Sequence, residues 1–133
     1  MTFISKKSCK DLVDEAAAQI SFLSVEDLLA LYESKEAEFV DLRVFRELQK
    51  TGVIPGAHSC PRGLLEFWLD QDSPFARDIF AKDAMFVFYC DNGWRSTLST
   101  RLAAEMGLQN VHCLRGGLDA WIEARGPVTP YRW

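Results

Sequence analysis

No apolar run in this 133-residue chain approaches the roughly 20 residues needed to cross a bilayer. The N-terminal stretch MTFISKKSCKDLVDEAAAQI has two early lysines but no uninterrupted apolar segment behind them. It does not read as an export signal, and a cytoplasmic, reducing compartment is expected. Basic blocks and arginine-rich stripes are absent too, with 15 Lys and Arg against 19 Asp and Glu and a formal charge of −4. Neither nucleic acid nor an anionic membrane surface is therefore an expected partner. Four cysteines occur, Cys9, Cys60, Cys90 and Cys113, and no two are spaced as closely as zinc ligands usually are. His58 and His112 are the only histidines. Free thiols are the expectation, with no disulfide, no metal and no cofactor.

Internal repeats, low-complexity tracts and linker-like stretches are missing as well. A hydrophobic share of 48% with 26% charged residues is that of an ordinary globular protein. The length suits one domain and is short for two. One unit over residues 1–133 is expected, with residues 1–20 a helical extension packed on it and 127–133 a tail.

Strands alternate with helices along the chain. Leu12, Val13, Ala16, Ala17 and Ile20 recur at helical spacing and predict a helix over residues 8–19. Residues 20–23 form a short apolar segment, and Ser24 opens the next helix with Asp27 three residues on. FVDLR predicts a strand over 39–43, followed by a helix over 44–50 and a turn marked by Gly52, Pro55 and Gly56. Residues 62–70 read as helical, and Ser73 before Pro74 reads as another helix start. MFVFY, apolar at all five positions, suits a central strand covered on both faces. A helix begins near Arg95 and ends near Gly107, VHCL gives a strand over 111–114, and a last helix stops at Gly126 and Pro127. This alternation predicts an α/β fold with a mainly parallel sheet.

The stretch FVFYCDNGWRST ends its apolar run on Cys90. Ligands of parallel α/β sheets sit beyond the carboxyl ends of strands, and Cys90 falls at such an end. Asp91, Asn92 and Gly93 can aim successive backbone N–H groups into one concavity, a nest for anions. The following helix adds its positive end, and Arg95 a fixed charge with paired donors. These donors should favour the thiolate of Cys90. Asp91 opposes them unless it turns outward or pairs with Arg95. The reading requires amides that converge over the sulfur and a sulfur open to solvent. Cys60 and Cys113 are expected to be packing residues, and Cys9 to be exposed.

With FVDLR, VIPGAHSCPRG, CDNGWRS and LRGGLDAW in this order, the chain resembles the rhodanese-like family in its single-domain sulfurtransferase form. The resemblance implies a central, mostly parallel five-stranded sheet with helices on both faces. It also implies a double displacement, in which Cys90 takes sulfur from thiosulfate or a persulfide donor and passes it to a thiophilic acceptor such as cyanide or a thiol. A small sulfur-donor anion, an acceptor and a protein persulfide donor are the partners it suggests. Asp91, Asn92, Gly93, Trp94, Arg95 and Ser96 would hold the transferred sulfur, with the Trp94 ring as an entrance wall. A six-residue loop, here Cys90 to Arg95, is similar to that of the sulfurtransferases; related phosphatases and arsenate reductases use one residue more. Asp91 stands where thiosulfate enzymes often place a basic residue, which leaves room for a less charged donor or for a persulfide carrier. Asp41 and Arg43 are candidate braces of the loop, and Arg62, Phe67 and Trp68 candidates for a pocket rim. Trp121 is expected as a core anchor, and no base is expected of His58 or His112.

Overall fold

Five strands, β1 (Phe22–Leu23), β2 (Ala37–Asp41), β3 (His58–Ser59), β4 (Met85–Tyr89) and β5 (Val111–Leu114), line up in the order β1-β5-β4-β2-β3. The computed structural model that shows them describes residues 2–132, so the expected limits at Met1 and Trp133 lie outside the described residues. Every ladder is parallel. The sheet is thus wholly rather than mostly parallel, and each strand needs a crossover connection. Helix α1 (Cys9–Ala17) precedes the first strand, α2 (Val25–Glu33), α3 (Phe45–Thr51), α4 (Leu65–Leu69) and α5 (Trp94–Glu105) occupy those connections, and α6 (Gly117–Glu123) follows the last strand.

Side-chain parity along β4 divides the core in two. Phe86 and Phe88 point to one face, packing with Val40, Leu42, Leu65, Leu69, Phe80 and Ala103. Val87 and Tyr89 point to the other, with Val25, Leu28, Phe39, Leu118 and Trp121. The central strand is buried on both sides, which is why it carries no charged residue and its one hydroxyl, that of Tyr89, is hydrogen-bonded. Trp121, with no exposed surface, anchors the second face: its ring meets Tyr32 and Phe39 edge-on, and its Nε1–H donates to Pro127 O at 2.8 Å.

Local chemistry sets most element ends. Ser8 caps α1 reciprocally with Asp11, and Ser24 Oγ accepts from the Asp27 N–H to start α2. Helix α1 buries Val13 and Ala16 and packs against α5. The C-terminal segment returns to the body through a Val53–Thr129 bridge. Four expectations need correction. Strand β2 runs two residues earlier than FVDLR suggested, and β3 went unforeseen inside what reads as a turn. The segment from Ser73 forms no α-helix. Ser73 Oγ donates to Phe67 O and accepts from the Phe75 N–H, closing a compact turn before a 3-10 helix at Asp78–Ala81. Residues 62–70 likewise split into a 3-10 turn, Arg62–Leu64, and the short α4. No helix among the described residues is long and apolar enough to cross a membrane.

Trp121→Ala empties the largest fully buried side chain. Unfolding in urea should show a loss of about 3–5 kcal/mol; a loss below about 1 kcal/mol would show that the second core layer does not depend on this ring.

Candidate active site

Cys90 is the first residue after β4, on the parity of Phe86 and Phe88, and so points toward the α5 face. The chain then reverses through Asp91 and Asn92 to Gly93, whose φ of +104° lies in the left-handed region that side chains resist. Helix α5 starts at the next residue. This turn brings the Gly93 N–H to 3.2 Å and the Ser96 N–H to 3.4 Å from the Cys90 sulfur, with Ser96 Oγ also at 3.4 Å. The other loop amides behave differently. The Asn92 N–H donates to Asp91 Oδ1 at 2.7 Å, and the Trp94 N–H to Asn92 Oδ1 at 3.0 Å. The expected nest of amides at 91–93 is therefore partly closed by its own side chains, and the donors on sulfur come from Gly93 and the first turn of α5.

Those donors also cover the thiol. Cys90 has no exposed surface, contrary to the expectation of an open sulfur, while Asn92 is exposed and Trp94 keeps 44% of its surface. The open sulfur that the sequence reading requires is thus not found in this conformation, and a donor reaches Cys90 only when loop residues shift.

The start of α6 fixes the loop from behind. The Leu118 N–H donates to Cys90 O and the Asp119 N–H to Asp91 O, both at 2.9 Å. Gly117, at φ +65°, lies so close that a Cβ there would stand 2.4 Å from Asp91 O. The second glycine of LRGGLDAW is thus a backbone-to-backbone contact, a role that its place at a helix start does not reveal.

Arg95 was expected to supply a fixed charge and paired donors to an anionic ligand. Its guanidinium instead forks onto Glu47, at 2.7 and 2.8 Å, and also meets Asp91 at 3.0 Å. Asp91 thus pairs with Arg95, the arrangement that relieves its pressure on the thiolate. The hydrogen bonds from Arg95 hold the Glu47 carboxyl below its usual range. For Asp91, burial pushes upward, but the bonds from Arg95 and the Asn92 N–H prevail and lower it. Glu47 was not anticipated. Its signal in sequence is a glutamate in the first turn of α3, which reads as a helix-capping residue; Oε1 does accept from the Val44 N–H at 3.3 Å.

Asp41 and Arg43 form a buried pair at 2.8 Å. Arg43 spends its remaining donors on Thr51 Oγ1 and Gly52 O, tying the end of β2 to the end of α3 rather than contacting the cysteine loop. Tyr89, the residue before Cys90 and the register partner of Asp41 on β4, has a hydroxyl that accepts from the Ile54 N–H at 3.1 Å. A cavity of about 240 Å³ between these groups includes Arg43, Glu47, Lys50 and Asp91. Elsewhere Arg62 and Phe67 are exposed, and Trp68 stacks under Arg77 at 4.3 Å. His58 pairs with Glu38, and His112 bonds Ser21 and Asn110. Burial pushes the Cys60 thiol up to about 12, and Cys9 is exposed. Among the described residues no three His, Cys, Asp or Glu side chains gather to hold a metal ion.

The model of the rhodanese-like domain matches residues 24–124. A thiosulfate sulfurtransferase, GlpE, of Shewanella oneidensis is 29% identical over 102 residues, spanning 77% of this chain and 92% of that protein. Among solved structures, a Rhodopseudomonas palustris protein of unknown function, described as a possible tyrosine phosphatase, is 43% identical. It superposes with a TM-score of 0.94 over 97% of this chain and 99% of its own. The human single-domain sulfurtransferase TSTD1 is 27% identical, with a TM-score of 0.65 over 77% of this chain and 95% of its own.

Because its pKa is depressed in the folded state, Glu47 contributes stability above its ordinary 4.5 and loses it as pH falls through the lowered value. Glu47→Gln should therefore cost about 1 kcal/mol at neutral pH and progressively less in acid. Urea melts of both proteins at neutral and acidic pH check this; an equal gap at both would show that the carboxylate charge is not involved.

Proposed function

This chain belongs to the rhodanese-like domain family, and from that premise we propose that it is a sulfurtransferase whose reacting group is the Cys90 thiol. The observation that carries the reading is the pair of backbone N–H groups that donate to a single sulfur at the end of the central strand, with a serine hydroxyl in contact with it. Such a set stabilises a sulfur anion without reorganising during the reaction. The Cys90 thiolate attacks the outer sulfur of the donor, an S–S bond forms, and the donor leaves with the electron pair: sulfite from thiosulfate, a thiolate from a persulfide. A thiophilic acceptor then takes the outer sulfur and returns the thiolate. Dividing the transfer in two is nucleophilic catalysis. Asp91 to Ser96 form the binding loop in this reading, with Asp41 and Arg43 supporting the strand end. Residues 1–133 act as one unit in a reducing cytoplasm.

Charge around the loop favours a weakly charged donor. Two carboxylates, Glu47 and Asp91, share the Arg95 guanidinium, so the local balance is negative, and a dianion such as thiosulfate meets repulsion. That charge balance also favours a second reading: a persulfide carrier loaded by a protein donor, with little small-molecule turnover. A phosphatase is the third reading, suggested by the description of the Rhodopseudomonas relative. Against it stand the six-residue loop and an arginine already forked onto carboxylates.

Treatment with thiosulfate or a low-molecular-weight persulfide should add the mass of one sulfur atom to the Cys90 peptide. Cyanide should remove it, and Cys90→Ser should abolish it; an unchanged peptide mass with every donor rules out sulfur transfer. Loading by a protein persulfide alone would select the carrier, and Cys90-dependent release of phosphate from an aryl phosphate would select the phosphatase.

Asp91→Lys should raise kcat/KM for thiosulfate about tenfold, since one charge reversal near a partly shielded site is worth on the order of 1–2 kcal/mol. Steady-state rates over a thiosulfate series check this; no gain would mean that Asp91 does not obstruct the dianion.

A further inference from the structure

One serine hydroxyl touches two cysteines. Ser96 Oγ lies 3.4 Å from the Cys90 sulfur and 3.4 Å from the Cys113 sulfur. The fold explains the coincidence. Phe88 and Cys113 are partners across β4 and β5, and alternate residues share a face, so Cys90 and Cys113 both look toward α5. Cys113 has no exposed surface, and its expected role was packing alone.

The proton order in this group is set by its neighbours. The Ser96 hydroxyl has one proton and two acceptors in reach, Gly93 O at 3.1 Å and the Cys90 sulfur. Gly93 O already accepts from the Thr97 hydroxyl at 2.6 Å and the Thr97 N–H at 2.9 Å, which occupies both carbonyl lone pairs. The Ser96 proton is thereby left to the sulfur. On its other side Ser96 Oγ accepts from the Cys113 S–H. Burial pushes the Cys113 thiol up, so it keeps the proton it donates.

We propose that Cys113 is a positioning residue for Cys90: its S–H donates to Ser96 Oγ and turns the Ser96 hydroxyl onto the Cys90 sulfur. This rests on Cys90 as the reacting thiol. Each bond in such a chain polarises the next, so the Ser96 hydroxyl becomes a better donor to an anionic sulfur than it would be alone. Thr97 belongs to the arrangement because it satisfies the competing carbonyl.

The test compares Cys113→Val, similar in bulk but without a donor, with Cys113→Ser, which restores one. Alkylation of Cys90 by iodoacetamide is followed by peptide mass spectrometry across a pH series, with thermal melts as a check on folding. The charged groups around Cys90, namely Asp91 and Arg95 of the loop, Glu47 of α3 and Asp119 of α6, are unchanged in both variants. Cys113→Val should slow alkylation roughly fivefold at neutral pH, the worth of one hydrogen bond, and converge with the wild type in alkali. Cys113→Ser should recover most of the neutral rate. Unchanged profiles in the valine variant overturn the proposal, as does a slowing that is equal at every pH and not rescued by serine. Sulfur loading from donors is measured on the same preparations. Loading with an unmoved alkylation profile defeats the role of Cys113 alone; no loading with the predicted profile defeats sulfur transfer and leaves the hydrogen-bond chain standing.

Discussion

The seat of α6 on the backbone of Cys90 and Asp91 is the contact on which the site depends. Two N–H groups of the α6 start bind the carbonyls of the two loop residues, and Gly117 approaches so closely that no side chain fits between. With those carbonyls pinned from behind, the loop can turn only toward α5, and the Gly93 and Ser96 N–H groups fall on the sulfur. A helix start offers its first N–H groups unpaired. Here α6 spends two of them on the loop, and the first turn of α5 gives another, that of Ser96, to the thiol. The cysteine is thus held between two helix N-termini, one from the crossover after β4 and one from the segment after β5.

Electrostatics around this frame differ from those of an anion pocket. Arg95, the obvious cation, is held by Glu47 from a separate helix and by Asp91 from its own loop. A bidentate guanidinium–carboxylate pair of this geometry is directional and stiff, so Arg95 contributes order to the loop rather than free positive charge. What remains for a sulfur anion is dipolar: N–H groups and a hydroxyl, all short-range. Such a site tolerates one negative charge on sulfur better than two on a ligand. The asymmetry links Asp91 to donor choice, and it follows from partners far apart in the chain.

The buried pair at the ends of β2 and α3 has a different part. Asp41 and Arg43 join the end of β2 to the end of α3, and the hydroxyl of Tyr89, the residue before Cys90, ties β4 to Ile54 just beyond α3. Every polar atom there that is taken from water needs a partner, and the Arg43 guanidinium finds them in Asp41, Thr51 and Gly52. These bonds keep the end of β4 from shifting relative to β2, so the loop starts from a fixed point.

The sequence alone determined what local periodicity and composition control. MFVFY could only be a two-faced strand, VHCL a shorter one beside it, and the capping serines and glycines marked most helix ends. Cys90 stood out because a thiol that merely packs at a strand end needs neither the glycine nor the arginine that follow it. Only the tertiary structure decided what lay in pairings between distant residues. The two-residue β3 exists because β2 offers it a ladder, and no window of residues 51–59 contains that ladder. The turn at Ser73 prevailed over the helix signal because Phe67 O, six residues back, was available to accept. Glu47 reached Arg95 across 48 positions, and Cys113 reached Ser96 only because two parallel strands set their side chains on one face. A sequence specifies such partners jointly, through the sheet order, and so they become visible only once the sheet is assembled.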